Sequence, residues 1–190
     1  EEYLLEQDSI YNSLTVWDFL FNGVGFRNTF KKQSFWFSSL INGVDPFGVG
    51  GFRYNMDFEY EKEFKNGHAI ELRPYLDYGH NNRDLKGTFG MGYLYDPLRF
   101  AKMSFRIGDT YDFINSYQSI QGTLSPANRV RNRVIEINHE FEIINGLYLR
   151  TGVEASLRQA LTNIVYPEWV EVFGDFSQPL QFDDYGVFIT

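Results

Sequence analysis

Three arginines set two residues apart, Arg129, Arg131 and Arg133 in "RVRNR", are the side chains best suited to hold a ligand. Alternate positions share one face of a strand, so the triplet would present three guanidinium groups in a row. Planar guanidinium groups pair two-pronged with phosphate and carboxylate, which makes lipid A phosphates or an acidic partner chain the ligands for this face. The plain alternative is a solvated strand end. Carboxylates form the second group: Asp57, Glu59, Glu61, Glu63, Glu71, Asp77, Glu136, Glu140, Glu142 and Glu154. Such a set suggests cation binding, but Arg53, Arg73, Lys102, Arg106, Arg150 and Arg158 balance it, and a hydrated, ion-paired surface needs no metal. Neither a metal nor a cofactor is expected.

The inventory for catalysis is poor. There is no G-x-S-x-G, no H-E-x-x-H, no Walker loop and no cysteine. His68 flanks a tight turn and His80 sits in a polar loop, where solvated histidines are the rule. His139 falls on an oily face between Ile137 and Phe141, a costly place for an imidazole unless it has a partner or lies at interfacial depth. A lipid-cleaving barrel would need a serine beside it, and Ser156 falls on the opposite face. The chain is therefore read as a non-enzyme. A net charge of -8 also argues against nucleic acid as the general partner.

The elements that carry these groups show in the alternation. Phe52, Tyr54, Met56, Phe58 and Tyr60 interleave with Arg53, Asn55, Asp57, Glu59 and Glu61. A helix would mix the two sets, so this is a strand with one apolar and one polar face. The same pattern recurs over 69–79, 86–96, 100–111 and 147–158, and less regularly over 130–143. An aromatic content of 18% favours strands throughout. Gly90 and Gly92 fall across from Arg106 and Ser104, leaving room for long side chains on the polar face.

These strands run to about 11–15 residues, against about 5–6 in soluble domains and about 9–11 for a membrane crossing. Links at 65–67, 97–99 and 144–146 are three residues each, while those at 80–85, 112–128 and 160–181 are longer, so short and long ends alternate. If both Asn-Gly turns are three-residue loops, Phe64 faces His68 and Ile143 faces Leu147. That register sets Glu59 opposite Arg73 and Glu140 opposite Arg150. The fold expected is all-β, an antiparallel up-and-down transmembrane β-barrel, with residues 1–190 forming a partial barrel segment of about 8–10 strands. Residues 51–159 are its meander of long hairpins, and 160–190 a long loop and the start of a further strand. Before residue 50, "VWDFLFNG" and "SFWFSSLING" read as strands and "VDPFGVGG" as a glycine-rich connection. Because the chain opens on Glu1-Glu2 and closes on a strand-like "DDYGVFIT", it reads as a segment of something larger.

"GFRYNMDFEYEKEFKNG", "LDYGHNNRDLKGTFGMGYLYDP" and "FRIGDTYDF" resemble the barrel region of a Gram-negative outer-membrane family of unknown function. Members of that family carry a carboxypeptidase-regulatory-like domain near the N-terminus. The likeness spans residues 47–113 and is strongest at Gly51-Phe52-Arg53, Tyr78-Gly79 and Asp84-Leu85-Lys86-Gly87. Gly50 departs from the acidic residue expected there. The resemblance implies a many-stranded barrel and no peptidase activity. The function expected is a structural or transport-associated outer-membrane protein or a subunit of an envelope complex. Its partners would be outer-membrane lipid, lipopolysaccharide and other envelope proteins. A soluble β-rich ligand-binding module is the first rival, and a barrel enzyme acting on lipids the second.

Overall fold

The computed structural model describes residues 2–114, 129–161, 164 and 186–189. A helix α1 (Glu2–Tyr11) and a π-helical turn (Asp18–Asn22) precede ten strands. These are β1 (Val24–Asn28), β2 (Gln33–Phe37), β3 (Val44–Gly48), β4 (Gly51–Glu63), β5 (Ala69–Gly79), β6 (Asp84–Asp96), β7 (Ala101–Phe113), β8 (Arg129–Ile144), β9 (Leu147–Gln159) and β10 (Gly186–Ile189). They form one antiparallel sheet in the order β1-β2-β4-β5-β6-β7-β8-β9-β10, with β3 on the same edge of β4 as β2. Since β2 pairs with Phe58–Lys62 and β3 with Gly51–Tyr54, the two are halves of one interrupted strand. The sheet thus has nine strand positions. Among the described residues β1 and β10 are its open edges, so the up-and-down meander is present and closure into a barrel is not.

The long hairpins match their reading in the sequence. Glu63 pairs with Ala69 and Phe64 N–H donates to His68 C=O at 2.8 Å around Gly67, whose φ of 81° suits a residue without a Cβ. Glu59 and Arg73 meet as expected, with Arg73 Nη2 2.9 Å from Glu59 Oε1. The second Asn-Gly turn is tighter than expected. Ile144, not Ile143, pairs with Leu147, and a bulge between Glu142 and Ile144 absorbs the extra residue. The bulge restores the expected parity, so Glu140 still faces Arg150, at 2.8 Å. Two link lengths are corrected. The turn before β7 takes four residues, 97–100, with Phe100 at positive φ, and the link between β5 and β6 also takes four, 80–83. Alternation of short and long ends is therefore not visible at that link; those at 112–128 and 160–181 lie largely outside the described residues.

The first fifty residues differ most from expectation. "VWDFLFNG" is not a strand but the π-helical turn, because Thr15 and Asp18 cap it reciprocally. Thr15 N–H donates to Asp18 Oδ2 at 3.0 Å and Asp18 N–H to Thr15 Oγ1 at 3.2 Å. Trp17 stacks on Phe21 four residues on, and Gly23 at φ 87° ends the turn. Only the first part of "SFWFSSLING" is strand. At Ser38–Ile41 the chain leaves the sheet, and Leu40 and Ile41 donate to the carbonyls of Phe19 and Leu20. "VDPFGVGG" is strand β3 over Val44–Gly48, a two-residue turn at Val49 and Gly50, and the first residue of β4.

The two faces of the sheet differ in kind. One carries Glu59–Arg73, Lys102–Glu71, Arg106–Glu136 and Arg150–Glu140 ion pairs. The other carries Phe89, Met91, Met103, Ile107, Ile135, Ile137 and Val153, all exposed. Among the described residues the buried apolar side chains are Val49, Ala101, Val130, Val134 and Leu161. The described residues form no packed hydrophobic core between layers.

Candidate functional site

Three buried charged side chains, Arg53, Asp77 and Lys86, gather at the rim formed by the start of β4 and β6 and the end of β5 and β7. Arg53 is 2% exposed. Its Nε donates to Asp77 Oδ1 at 2.7 Å and its Nη1 to Asp84 Oδ1 at 2.9 Å and Val49 C=O at 3.1 Å. Tyr111 Oη donates to Asp84 Oδ2 at 2.8 Å while its ring lies 4.8 Å from the Arg53 guanidinium. Lys86, also buried, reaches Asp109 Oδ2 at 2.9 Å, and Arg131 Nε donates to Asp109 Oδ1 at 2.8 Å. Three cations and three carboxylates, on strands β4 to β8, therefore neutralise one another.

The backbone makes room for this cluster. Gly79 pairs with both Arg53 and Asp84, and a Cβ there would strike Arg53 Nη1 and Asp84 Oδ1. Pairing of β6 with β7 ends at Gly87–Asp109, where a Cβ on Gly108 would lie 2.6 Å from the Gly87 carbonyl. By alternation Asp109 and Tyr111 belong to the face of Phe105 and Ile107, yet they meet Lys86 and Asp84 of the polar face. Gly87 and Gly108, which carry no side chain, stand between these two sets of groups.

The arginine triplet sits on β8 at the same rim. Arg129, Arg131 and Arg133 do share a face, in register with Phe113, Tyr111 and Asp109. Arg131 is engaged by Asp109. Arg129 lies over the Phe113 ring at 4.6 Å with Asp45 Oδ2 at 3.9 Å, and Arg133, half exposed, stands 3.8 Å from Asp109. The face therefore turns toward the ion cluster as well as outward. His139 has the partner that its place on the apolar face calls for: Tyr95 Oη lies 2.6 Å from its Nε2, with the rings stacked. His68 likewise meets Tyr93 Oη at 2.8 Å. Ser156 pairs with Val134 and His139 with Thr151, which leaves serine and histidine on opposite faces.

Below the rim the polar face is an open trough of about 650 Å³. Glu59, Arg73, Glu71, Lys102, Arg106 and Glu136 line it, together with Trp36 and Tyr75. Carboxylate oxygens of Glu59, Glu61 and Glu71 lie within 4.8 Å of one another, and Arg73 and Lys102 supply counter-charge there. Gly90 and Gly92 face Arg106 and Ser104 as expected. The rim cluster is what sequence reading missed as a unit. Its signal was present in Gly51-Phe52-Arg53, Tyr78-Gly79 and Asp84-Leu85-Lys86-Gly87, charges placed beside glycines at strand ends.

Fold and faces define an antiparallel all-β protein with one ion-paired face and one exposed apolar face. Residues 17–178 match the C-terminal domain of a family of unknown function, DUF5686, and the chain belongs to that family. No curated protein and no solved structure matches it.

Proposed function

We propose that this chain is the strand region of an outer-membrane β-barrel protein, structural or transport-associated, whose apolar face meets lipid and whose ion-paired face meets water. We propose no reaction for it. The observation that carries this reading is the uncovered apolar face. From Phe89 and Met91 through Met103 and Ile107 to Ile135, Ile137 and Val153, each side chain is at least 41% exposed. In water a continuous patch of this size marks a binding surface or an aggregation site, whereas in lipid it is the stable state.

Two further features support it. His68–Tyr93, Tyr95–His139 and Phe100–Tyr148 contacts lie toward the rim of the 97–100 and 145–146 turns, and Phe52, Tyr78 and His80 cluster at the other. Paired tiers of amphipathic rings suit two membrane interfaces. The shortest long strand, β5 with 11 residues, spans about 25 Å when tilted about 45°, the height of a barrel's apolar band. Nine strand positions are an odd number, and all-antiparallel barrels take an even one, so further strands complete the sheet. Closing it requires α1 to yield the β1 edge to a strand. A soluble ligand-binding module would instead need a second layer over the apolar face, and the described residues supply none.

Ile137→Arg should cost about 2–4 kcal/mol of folding stability for the full-length protein in bilayers, against little for Ser104→Arg on the trough face. Ile137 is already 49% exposed, so in a water-facing sheet its replacement would cost almost nothing. Equally small effects at both positions would overturn the proposal.

A further inference from the structure

Among the described residues strand β1 pairs with β2 alone, and an edge strand with unpaired backbone groups is a template for another strand. Here α1 lies along that edge. Asn12 binds the backbone of Arg27 twice: its Oδ1 accepts from Arg27 N–H at 2.7 Å and its Nδ2 donates to Arg27 C=O at 2.8 Å. Asp8 accepts from Thr29 N–H at 2.7 Å, from the Thr29 hydroxyl at 2.6 Å and from Arg27 Nε at 3.0 Å. Tyr11 lies against Gly25, its ring 4.7 Å from the Arg27 guanidinium. Gly25, Arg27 and Thr29 are alternate positions, and alternate positions are those whose backbone groups point away from the paired strand. A primary amide thus gives Arg27 the donor and acceptor that a neighbouring strand would give.

The helix is not held by an apolar seam. Tyr3, Leu5 and Ile10 are 69%, 58% and 61% exposed, while Asp8 is buried against β1. We propose, resting on the barrel reading above, that α1 guards the edge of the sheet before the barrel closes: Asp8 of α1 and Asn12 just after it hold the hydrogen-bonding positions until the closing strand takes them, and what they keep out meanwhile is β1 of a second copy of this chain. An edge can always pair with its own copy about a two-fold axis, because the same groups face one another. "VGFRN" carries no proline to prevent it, and Phe26, 48% exposed, adds apolar surface to such a contact.

The test follows the full-length chain as it folds into detergent, by pulsed hydrogen exchange before the barrel closes, with Asp8→Ala and Asn12→Ala combined. Hydrogen exchange at the Arg27 and Thr29 amides should quicken about tenfold or more at low protein concentration, and sedimentation should show a dimer as concentration rises. Adding Arg27→Pro removes the edge N–H and should restore the monomer. Exchange over β5 to β8 reports whether the sheet stays folded. If the double variant unfolds, Asn12→Leu, which keeps the number and branching of side-chain heavy atoms, repeats the measurement with the Asp8–Arg27 pair kept. Unchanged protection of both amides in the folded variant overturns the proposal. So does a monomer at every concentration once they exchange, or a dimer that survives Arg27→Pro.

Discussion

Arg53 enters the sheet as one more charge in an alternating strand, and its spacing says only that it shares a face with Asp57 and Glu59. Depth is what spacing cannot say: Glu59 pairs with an exposed Arg73, whereas Arg53 is enclosed by Asp77, Asp84, Val49 and the Tyr111 ring. Depth comes from Gly48 and Gly79, which let two backbones close over the guanidinium. Removing one partner of a buried ion cluster leaves charges that water does not reach. Arg53→Met should therefore cost about 3–5 kcal/mol, read from denaturant unfolding. Arg53→Lys should recover little, since one ammonium group does not span Asp77, Asp84 and the Val49 carbonyl together. His139 was legible where Arg53 was not, because an imidazole among Ile137 and Phe141 demands a partner, and Tyr95 provides it.

Long hairpins were legible because period-two alternation and Asn-Gly turns specify both face and register over β4 to β9. The bulge at Ile143 was hidden by the same parity, since a three-residue loop and a two-residue turn with a bulge leave Glu140 opposite Arg150 alike. Alternation failed over residues 17–22, where Trp17, Phe19 and Phe21 mimic a strand and the Thr15–Asp18 cap decides for a helical turn. Helix α1 escaped notice because its apolar residues form no face. Its docking carries a pH signature. Bonds from the Thr29 hydroxyl and amide, joined by the Arg27 guanidinium, outweigh burial and hold the Asp8 carboxyl below its ordinary 3.8. A lowered carboxylate adds stability that is complete above the unfolded value and lost as pH falls through the folded one. The α1–β1 contact should therefore keep its full strength down to about pH 4 and weaken below it. An NMR titration of the Thr29 amide should give a midpoint below 3.8. A midpoint at or above that value would show that the contacts do not favour the carboxylate.

At the scale of the whole molecule, the sequence announced an antiparallel meander of long two-faced strands, and the sheet has that form. Whether such a sheet meets lipid is decided by its surroundings, which alternation alone does not reveal: an apolar face can be covered by a second layer or by a bilayer. The chain lacks cysteine, so single cysteines introduced along β8 from Ile135 to Glu140 can each carry a nitroxide label without background from this region. The decisive measurement compares collision of each label with oxygen, which concentrates in lipid, and with a water-soluble nickel chelate, for the full-length protein in bilayers. The account predicts a two-residue period, with oxygen favoured at 135, 137 and 139 and nickel at 136, 138 and 140. Nickel favoured at every position, or the apolar positions shielded from both reagents by a covering layer, would contradict it.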